Sequence, residues 1–330
     1  MLDAVESIAA ALRIRVQGAD DVGGAVAAWA SAGTLLVGPD LAPALASEVL
    51  RRRPRVYLVG FDAADLGPWS VPLGAEVIPL PQAVAWLSDV LGASDDTACP
   101  VVAVVGGSGG AGASTVAASL ALASARGGSP AALVDADPYG GGLDLLLGAE
   151  RTPGHRWSRL TGAQGEVGDI RGVLPAVEGV TLVAMDRAVG ELPGVTAVQA
   201  VVRSLARHHR LVVIDAGRTP WPAVRGLVRT AGRTLVVASA GVRSVASAGS
   251  VVRAWELPDA GVVVRGTPRL RVPPELVAEA LDLPLAGVLP FDRRLAGAAE
   301  AGEPPLGGRT WDRAVRRLLA TTTQGDDDGD

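Results

Sequence analysis

The chain has 330 residues, a net charge of −5 and 30 residues counted as lysine or arginine, every one of them an arginine. The lack of lysine excludes chemistry that needs a Schiff-base lysine or a P-loop lysine, and the acidic balance argues against nucleic-acid binding by bulk charge. The single cysteine, Cys99, leaves no internal disulfide and no cysteine-based metal site. Three scattered histidines (His155, His208, His209) do not make a zinc site. Asp3 and Glu6 stand where a secretory signal would be basic, and no apolar run reaches the ~18–20 residues of a membrane span. The expectation is a cytoplasmic protein of about two domains, taking ~150 residues for each.

In chain order, 4–12 predicts a helix, 13–17 a short strand, and Asp20 and Asp21 cap a helix reaching about Trp29. TLLVG (34–38) reads as a strand and 43–53 as a helix that ends in Arg51, Arg52 and Arg53. RVYLVG (55–60) and AEVIPL (75–80) are further strands, and 82–92 closes this region with a helix. Short apolar strands alternating with helices predict a parallel sheet. Residues 95–99 read as a linker. The alternation then restarts with a strand from Val101, followed by strands at 131–137, 180–185, 211–217, 234–240, 262–266 and an edge strand at 285–292. Helices fall at 114–126, 195–209, 222–230, 244–255, 273–281 and 311–320. Residues 321–330 form an acidic tail expected to be disordered.

The strongest local signal is a buried strand, Val101–Val105, that runs into Gly106-Gly107-Ser108-Gly109-Gly110-Ala111-Gly112-Ala113-Ser114-Thr115 and on into a helix. Glycines let backbone N–H groups converge on an anion, the helix start adds the positive end of its dipole, and a hydroxyl there can hold Mg²⁺. Asp135 and Asp137 follow at the end of the next strand, and Asp215 ends another. Polar groups at three strand C-termini are where open α/β sheets bind ligands. For any one aspartate, a helix cap or turn is the simpler reading; the three in this order point to a P-loop-derived site.

This order resembles the MinD/ParA branch of P-loop ATPases, whose deviant Walker A loop reads K-G-G-x-G-K-[ST]-[ST]. The resemblance assigns Gly109, Gly110, Ala111, Gly112, Ala113, Ser114 and Thr115, with Asp135, to binding ATP or ADP. Ser114 and Asp215 would serve Mg²⁺, and Asp137 would orient the attacking water. Both lysines are absent: Ser108 stands at the signature-lysine position and Ala113 at the Walker-lysine position. Two lost charge-assisted contacts, at about 1.5–3 kcal/mol each, weaken nucleotide binding by roughly 10²–10⁴-fold. Arg218 or Arg126 would be the arginines able to reach the loop, though a planar guanidinium does not simply replace a lysine.

Residues 1–94 resemble a degenerate response-regulator receiver, a flavodoxin-type α/β domain. Asp40 lies near the phosphoacceptor position, where the simpler reading is a helix cap, and Leu80-Pro81 lies where the family has Lys-Pro. The chain begins inside the first helix of such a domain, without the first strand and its acidic pair, which implies a truncated domain or a start placed too late. A receiver-like domain followed by a lysine-poor MinD/ParA-type domain with a mostly parallel sheet over 100–320 resembles the TadZ/CpaE proteins, and among them the actinobacterial CpaE-like septum site-determining family. That resemblance implies a homodimer, and placement of the division septum or of Tad pilus and secretion machinery, with recruitment to the septum or cell pole.

The helix at 311–320 is amphipathic, with Trp311, Ala314, Val315, Leu318 and Leu319 on one face. It reads either as a membrane-targeting helix or, the favoured reading, as a helix packed on its own domain. Arg225, Arg229, Arg233 and Arg243 read as a solvated face rather than a DNA surface. Trp221, beside the third strand end, marks either a dimer interface or a helix start. Three functions follow: a spatial regulator working through protein contacts with little or no catalysis, an ATPase rebuilt with arginine, and a DNA-associated partitioning factor.

Overall fold

The structure, a computed structural model, describes residues 2–11, 16–51, 53, 55–81, 87, 90, 91, 99–165, 167–187, 192–257, 259–268 and 272–323. It divides into two compact units, Met1–Ala98 and Cys99–Asp330.

The first unit contains α1 (Leu2–Ala11), α2 (Val22–Ser31), β1 (Leu35–Val37), α3 (Ala42–Ala46), β2 (Val56–Gly60), α4 (Ala63–Leu73) and β3 (Glu76–Pro79). The three strands pair in the order β1-β2-β3, all parallel. Alternation along β2 sends Val56 and Leu58 toward Trp29, Leu45 and Leu66, and Val59 to the other face with Val5 and Ile78, so both faces are covered. The expected helix at 43–53 ends at Ala46. The Ser47 hydroxyl turns back onto the Pro43 carbonyl, and Arg53 instead donates to the carbonyls of Trp29, Ala32 and Gly33 at the end of α2. Asp40 is not a cap: Leu41 is the N-cap of α3, with no side-chain bond. Sequence reasoning placed no element between the strands at 55–60 and 75–80, where α4 lies with Pro68 and Pro72 inside it; Asp62 caps its start and Gly74, at φ +61°, its end. Val16 and Gln17 lie outside any strand, and 12–15 lie outside the described residues, as does most of 82–92.

The second unit contains β4 (Val101–Gly106), α5 (Ala113–Arg126), β5 (Ala131–Asp135), α6 (Leu143–Leu146), β6 (Ala176–Val177), β7 (Val180–Val183), α7 (Val195–His208), β8 (Leu211–Gly217), α8 (Pro222–Thr230), β9 (Arg233–Ser239), α9 (Val242–Trp255), β10 (Gly261–Arg265), α10 (Pro274–Leu281), β11 (Leu285–Leu289), α11 (Arg293–Ala301) and α12 (Arg309–Thr323). The eight strands run β11-β10-β9-β4-β8-β5-β7-β6, parallel except for the β6–β7 pair. Alternating residues of the central strands are apolar on both sides: Ala103, Val105 and Ile214 face α7–α10, whereas Val102, Val104 and Val213 face α5 and α12. The edge position of β11 is as expected. The chain passes from β4 to one side of the sheet through β5 and later to the other through β9, which opens a crevice at the C-terminal end of β4.

The last helix runs to Thr323, so 321–323 are helical and Thr322 is buried; 324–330 and 92–98 lie outside the described residues. Its apolar face, with Trp311, Val315 and Leu318 buried, packs into the core against α5 and β11, which is the packed-helix reading rather than a membrane surface. No helix among the described residues is long and apolar enough to cross a membrane.

At the far end of the sheet from the crevice, His209 is buried between the Leu205 carbonyl (Nδ1, 2.8 Å) and the Thr181 hydroxyl (Nε2, 2.9 Å). Burial holds its imidazole below the ordinary value, which is near 6.5. As pH falls, the unfolded chain therefore takes up this proton before the folded one does, and the His209 contribution is lost below about pH 6.5. Urea midpoints at pH 7.5 and 5.5 check this. The wild-type chain should lose more stability on acidification than His209→Gln, and equal losses would contradict the assignment. Other titrating groups act alike in both chains.

Candidate functional site

The loop between β4 and α5 has its shape because two glycines adopt left-handed backbone, Gly110 (φ +73°) and Gly112 (φ +83°), the latter as N-cap of α5. The Gly107 N–H donates to the Val237 carbonyl (2.9 Å), and the Ala111 N–H to the Ser108 carbonyl (3.2 Å). The Ser108 hydroxyl bonds the Ser244 hydroxyl (2.7 Å), which also accepts the Ser239 N–H (3.0 Å). Ala113, Ser114 and Thr115 then form the first turn of α5, while Gly109 and Gly110 are exposed at the loop tip.

The strand ends bring Asp135, Asp137 and Asp215 to this loop, as the sequence predicts. Asp135 and Asp215 face each other across the β5–β8 register. Asp135 is buried; its Oδ2 accepts the Leu143 N–H (3.0 Å) and its Oδ1 the Asp137 N–H (3.2 Å). Burial, reinforced by Asp215, pushes its carboxyl up to about 7. Asp215 is fully buried, which pushes its carboxyl up to about 6 against a hydrogen bond from the Ser114 side chain. Its Oδ1 has no hydrogen-bond partner. Asp137 lies against Gly217: a Cβ built on that residue, at φ +65°, would stand 2.3 Å from the Asp137 Cγ, so only glycine allows this approach.

Four further groups complete the site, of which the sequence reading had singled out only Trp221. Trp157 donates its indole N–H to the Asp135 carbonyl (2.7 Å), Trp221 to the Ala136 carbonyl (2.9 Å) and Trp255 to the Arg218 carbonyl (3.0 Å). Three indoles thus fix the backbone just after β5 and β8. Trp221 is a helix N-cap tied inward. The fourth group is Arg265, at the end of β10, whose Nη1 donates to the Ala111 carbonyl (2.9 Å) and whose guanidinium stacks 5.6 Å from the Trp311 ring centroid. Of the two arginines the sequence singled out, Arg218 lies across the loop, its Cγ and Nη1 3.0 and 3.2 Å from Cβ positions built on Gly106 and Gly109. Arg126 does not; it pairs with Glu178 (3.3 Å) at the other end of α5. Arg225 is engaged with the Ala254 carbonyl and with Glu256 (3.7 Å), as a structural arginine would be.

A fourth aspartate, Asp144, is buried beside the site between Arg187 (2.8 Å) and Arg156 (3.7 Å), and also accepts the Leu145 N–H (2.9 Å). Removing it takes the carboxylate from Arg156, which is itself largely buried and keeps only the carbonyls of Ala149, Thr152 and Gly154 as acceptors. Asp144→Ala should cost about 2 kcal/mol of stability, read as a lower urea midpoint. An unchanged midpoint would show that the two arginines find other partners. Among the described residues no group of three or more His, Cys, Asp or Glu side chains forms a metal cage.

Residues 1–99 match the family model described as "Rv3660c-like, CheY-like N-terminal domain", and residues 98–185 the model described as "NUBPL iron-transfer P-loop NTPase" of the ParA group. Over 335 aligned residues, 96% of this chain and 93% of the relative, the chain is 32% identical to protein Rv3660c of Mycobacterium tuberculosis (strain ATCC 25618 / H37Rv). The chain belongs to the Rv3660c-like family. The chain joins a CheY-like domain to a ParA/MinD P-loop domain. It is also similar to the septum site-determining protein MinD of Synechocystis sp. (strain ATCC 27184 / PCC 6803 / Kazusa), 30% identical over 62% of this chain and 80% of the relative. The solved structure of septum site-determining protein MinD from Pyrococcus horikoshii OT3, complexed with Mg-ADP, superposes with a TM-score of 0.54. It covers 67% of this chain and 94% of its own at 19% identity, and so supports the fold.

Proposed function

We propose that this Rv3660c-like chain is a spatial regulator of the MinD/ParA kind, acting through protein contacts, whose glycine loop holds a nucleotide without turning it over. The observation that carries this is the chemistry at Ser108 and Ala113. A methyl group stands at one lysine position of the resembled loop. At the other, a hydroxyl is engaged with Ser244 of the same chain, 2.7 Å away, instead of reaching toward a partner. Phosphoryl transfer relies on cations that stabilise the charge spreading over the equatorial oxygens, and the loop itself supplies none. The three indole bonds after β5 and β8 add to this, because they hold in one arrangement the loops that a hydrolysis-driven switch must move.

The residues do fit Mg²⁺ with ATP or ADP as a bound ligand. The Asp215 Oδ1 is buried without a partner, which a magnesium-bound water would supply. Ser114 would hold the ion, backbone N–H groups of Gly109 to Thr115 the phosphates, Asp135 would brace the loop after β5, and Asp137 would face a water. Iron transfer is not proposed: the chain has one cysteine, and burial pushes the Cys99 thiol up to about 12. An ATPase rebuilt with arginine is the second reading, favoured by Arg218 lying across the loop.

As the target we propose the division septum or, in the manner of CpaE and TadZ, Tad pilus and secretion machinery, reached as a homodimer from the cytoplasm. The full chain fused to a fluorescent protein tests this in its own cell. A focus at the septum or pole should persist in the double variant Ser114→Ala, Asp215→Ala. A diffuse wild-type signal, or a focus lost in the variant, would count against positioning by protein contacts.

A further inference from the structure

We infer that Arg265 is a phosphate-binding residue, carried in from β10 to supply the charge that the glycine loop lacks. The inference rests on the reading that this loop holds a nucleotide.

What singles this arginine out is where its guanidinium sits. A Cβ built on Gly112 would lie 1.7 Å from the Arg265 Nη1 and 2.9 Å from its Cζ, so the guanidinium sits against the N-cap of α5. That end of a helix carries the positive half of its dipole and favours anions. A guanidinium there is repelled by the dipole, and it is also desolvated: burial lowers the Arg265 pKa. Its Nε is buried with no hydrogen-bond partner, a state it shares with Arg203 and Arg225, while its Nη1 donates to the Ala111 carbonyl; only Arg265 of the three is seated against Gly112. A phosphate oxygen at this point would answer all three at once. It would accept from the idle Nε–H, neutralise the buried cation and meet the helix dipole. Trp311, in the core below, keeps the guanidinium plane in place through its ring face. The buried Asp215 Oδ1 at the same helix start is a second idle group, of opposite sign, as a magnesium–phosphate pair requires.

Isothermal calorimetry on the full chain with Mg²⁺ tests this, using inorganic pyrophosphate, ADP and adenosine as probes. Arg265→Gln should bind pyrophosphate and ADP about 10- to 150-fold more weakly than wild type, the range for losing one charge-assisted contact. Any adenosine affinity should be unchanged, and Arg126→Gln at the far end of α5 should match wild type for every probe. If wild type binds ADP and Arg265→Gln binds pyrophosphate and ADP equally well, this inference alone fails. If wild type binds neither at millimolar concentration, the nucleotide reading fails with it, while the septum or pole focus remains a separate result. Should Arg265→Gln not fold, NMR on the wild-type chain serves instead. The Arg265 Nε–H resonance should shift downfield on adding pyrophosphate, and a resonance that does not move overturns the inference.

Discussion

Restoring one lysine should restore much of the missing affinity: Ala113→Lys is expected to bind Mg-ADP about 10- to 150-fold more tightly than wild type by calorimetry. The range follows from one charge-assisted bond of about 1.5–3 kcal/mol at 1.4 kcal/mol per tenfold. Position 113 suits the change. It is the first residue of α5, half-buried, and the mean helix propensities of alanine and lysine differ by only a few tenths of a kcal/mol. The surrounding acceptors and donors are already arranged, because the loop owes its form to Gly110 and Gly112. The gain should be smaller in an Arg265→Gln background if both cations address the same phosphates, since contacts that share a ligand are not additive. An affinity unchanged by the lysine would mean that the loop does not present its N–H groups to phosphate at all.

The second large effect is on stability. Trp157 is 2% exposed, in a 3₁₀ turn beneath the end of β5, and its indole N–H is the one that meets the Asp135 carbonyl. Trp157→Ala removes the ring from the core and leaves that carbonyl without its donor. The cost should be about 3–5 kcal/mol, or roughly 6–20 °C in the melting midpoint of a unit this size. Trp157→Phe keeps most of the packing and loses the bond, so it should cost about 1–2 kcal/mol. That graded order separates the bond from the burial. Hydrogen exchange after β5 should rise in both variants. An alanine variant that melts with the wild type would show that the indole does not hold the strand end in place.

Much of this was legible in the sequence. Apolar runs such as Val101–Val105 and Leu211–Ile214 have no polar face, so they had to be strands buried on both sides, and the glycines after the first had to turn into a helix. Those two facts bring Asp135, Asp137 and Asp215 to one edge. The same rule applied to VVVRG would have drawn attention to Arg265, which also ends a strand, but a lone arginine reads as a solvated charge until the packing of α12 puts Trp311 beneath it. The indole bonds had no local signal: Trp157, Trp221 and Trp255 reach carbonyls 22, 85 and 37 residues away. In the first unit α4 went unassigned although its N-cap at Asp62 and its left-handed glycine at 74 are local signals, because Pro68 and Pro72 lie inside it.

The central claim is that the fold of a P-loop ATPase here serves binding and contact rather than turnover. Steady-state release of phosphate from Mg-ATP by the full-length wild-type chain tests it most directly, set beside Gly112→Ala, in which a methyl group collides with Arg265 at the mouth of the loop. The account predicts that wild type and variant release phosphate at the same background rate. Sustained turnover by the wild type that the Gly112→Ala change abolishes would contradict it.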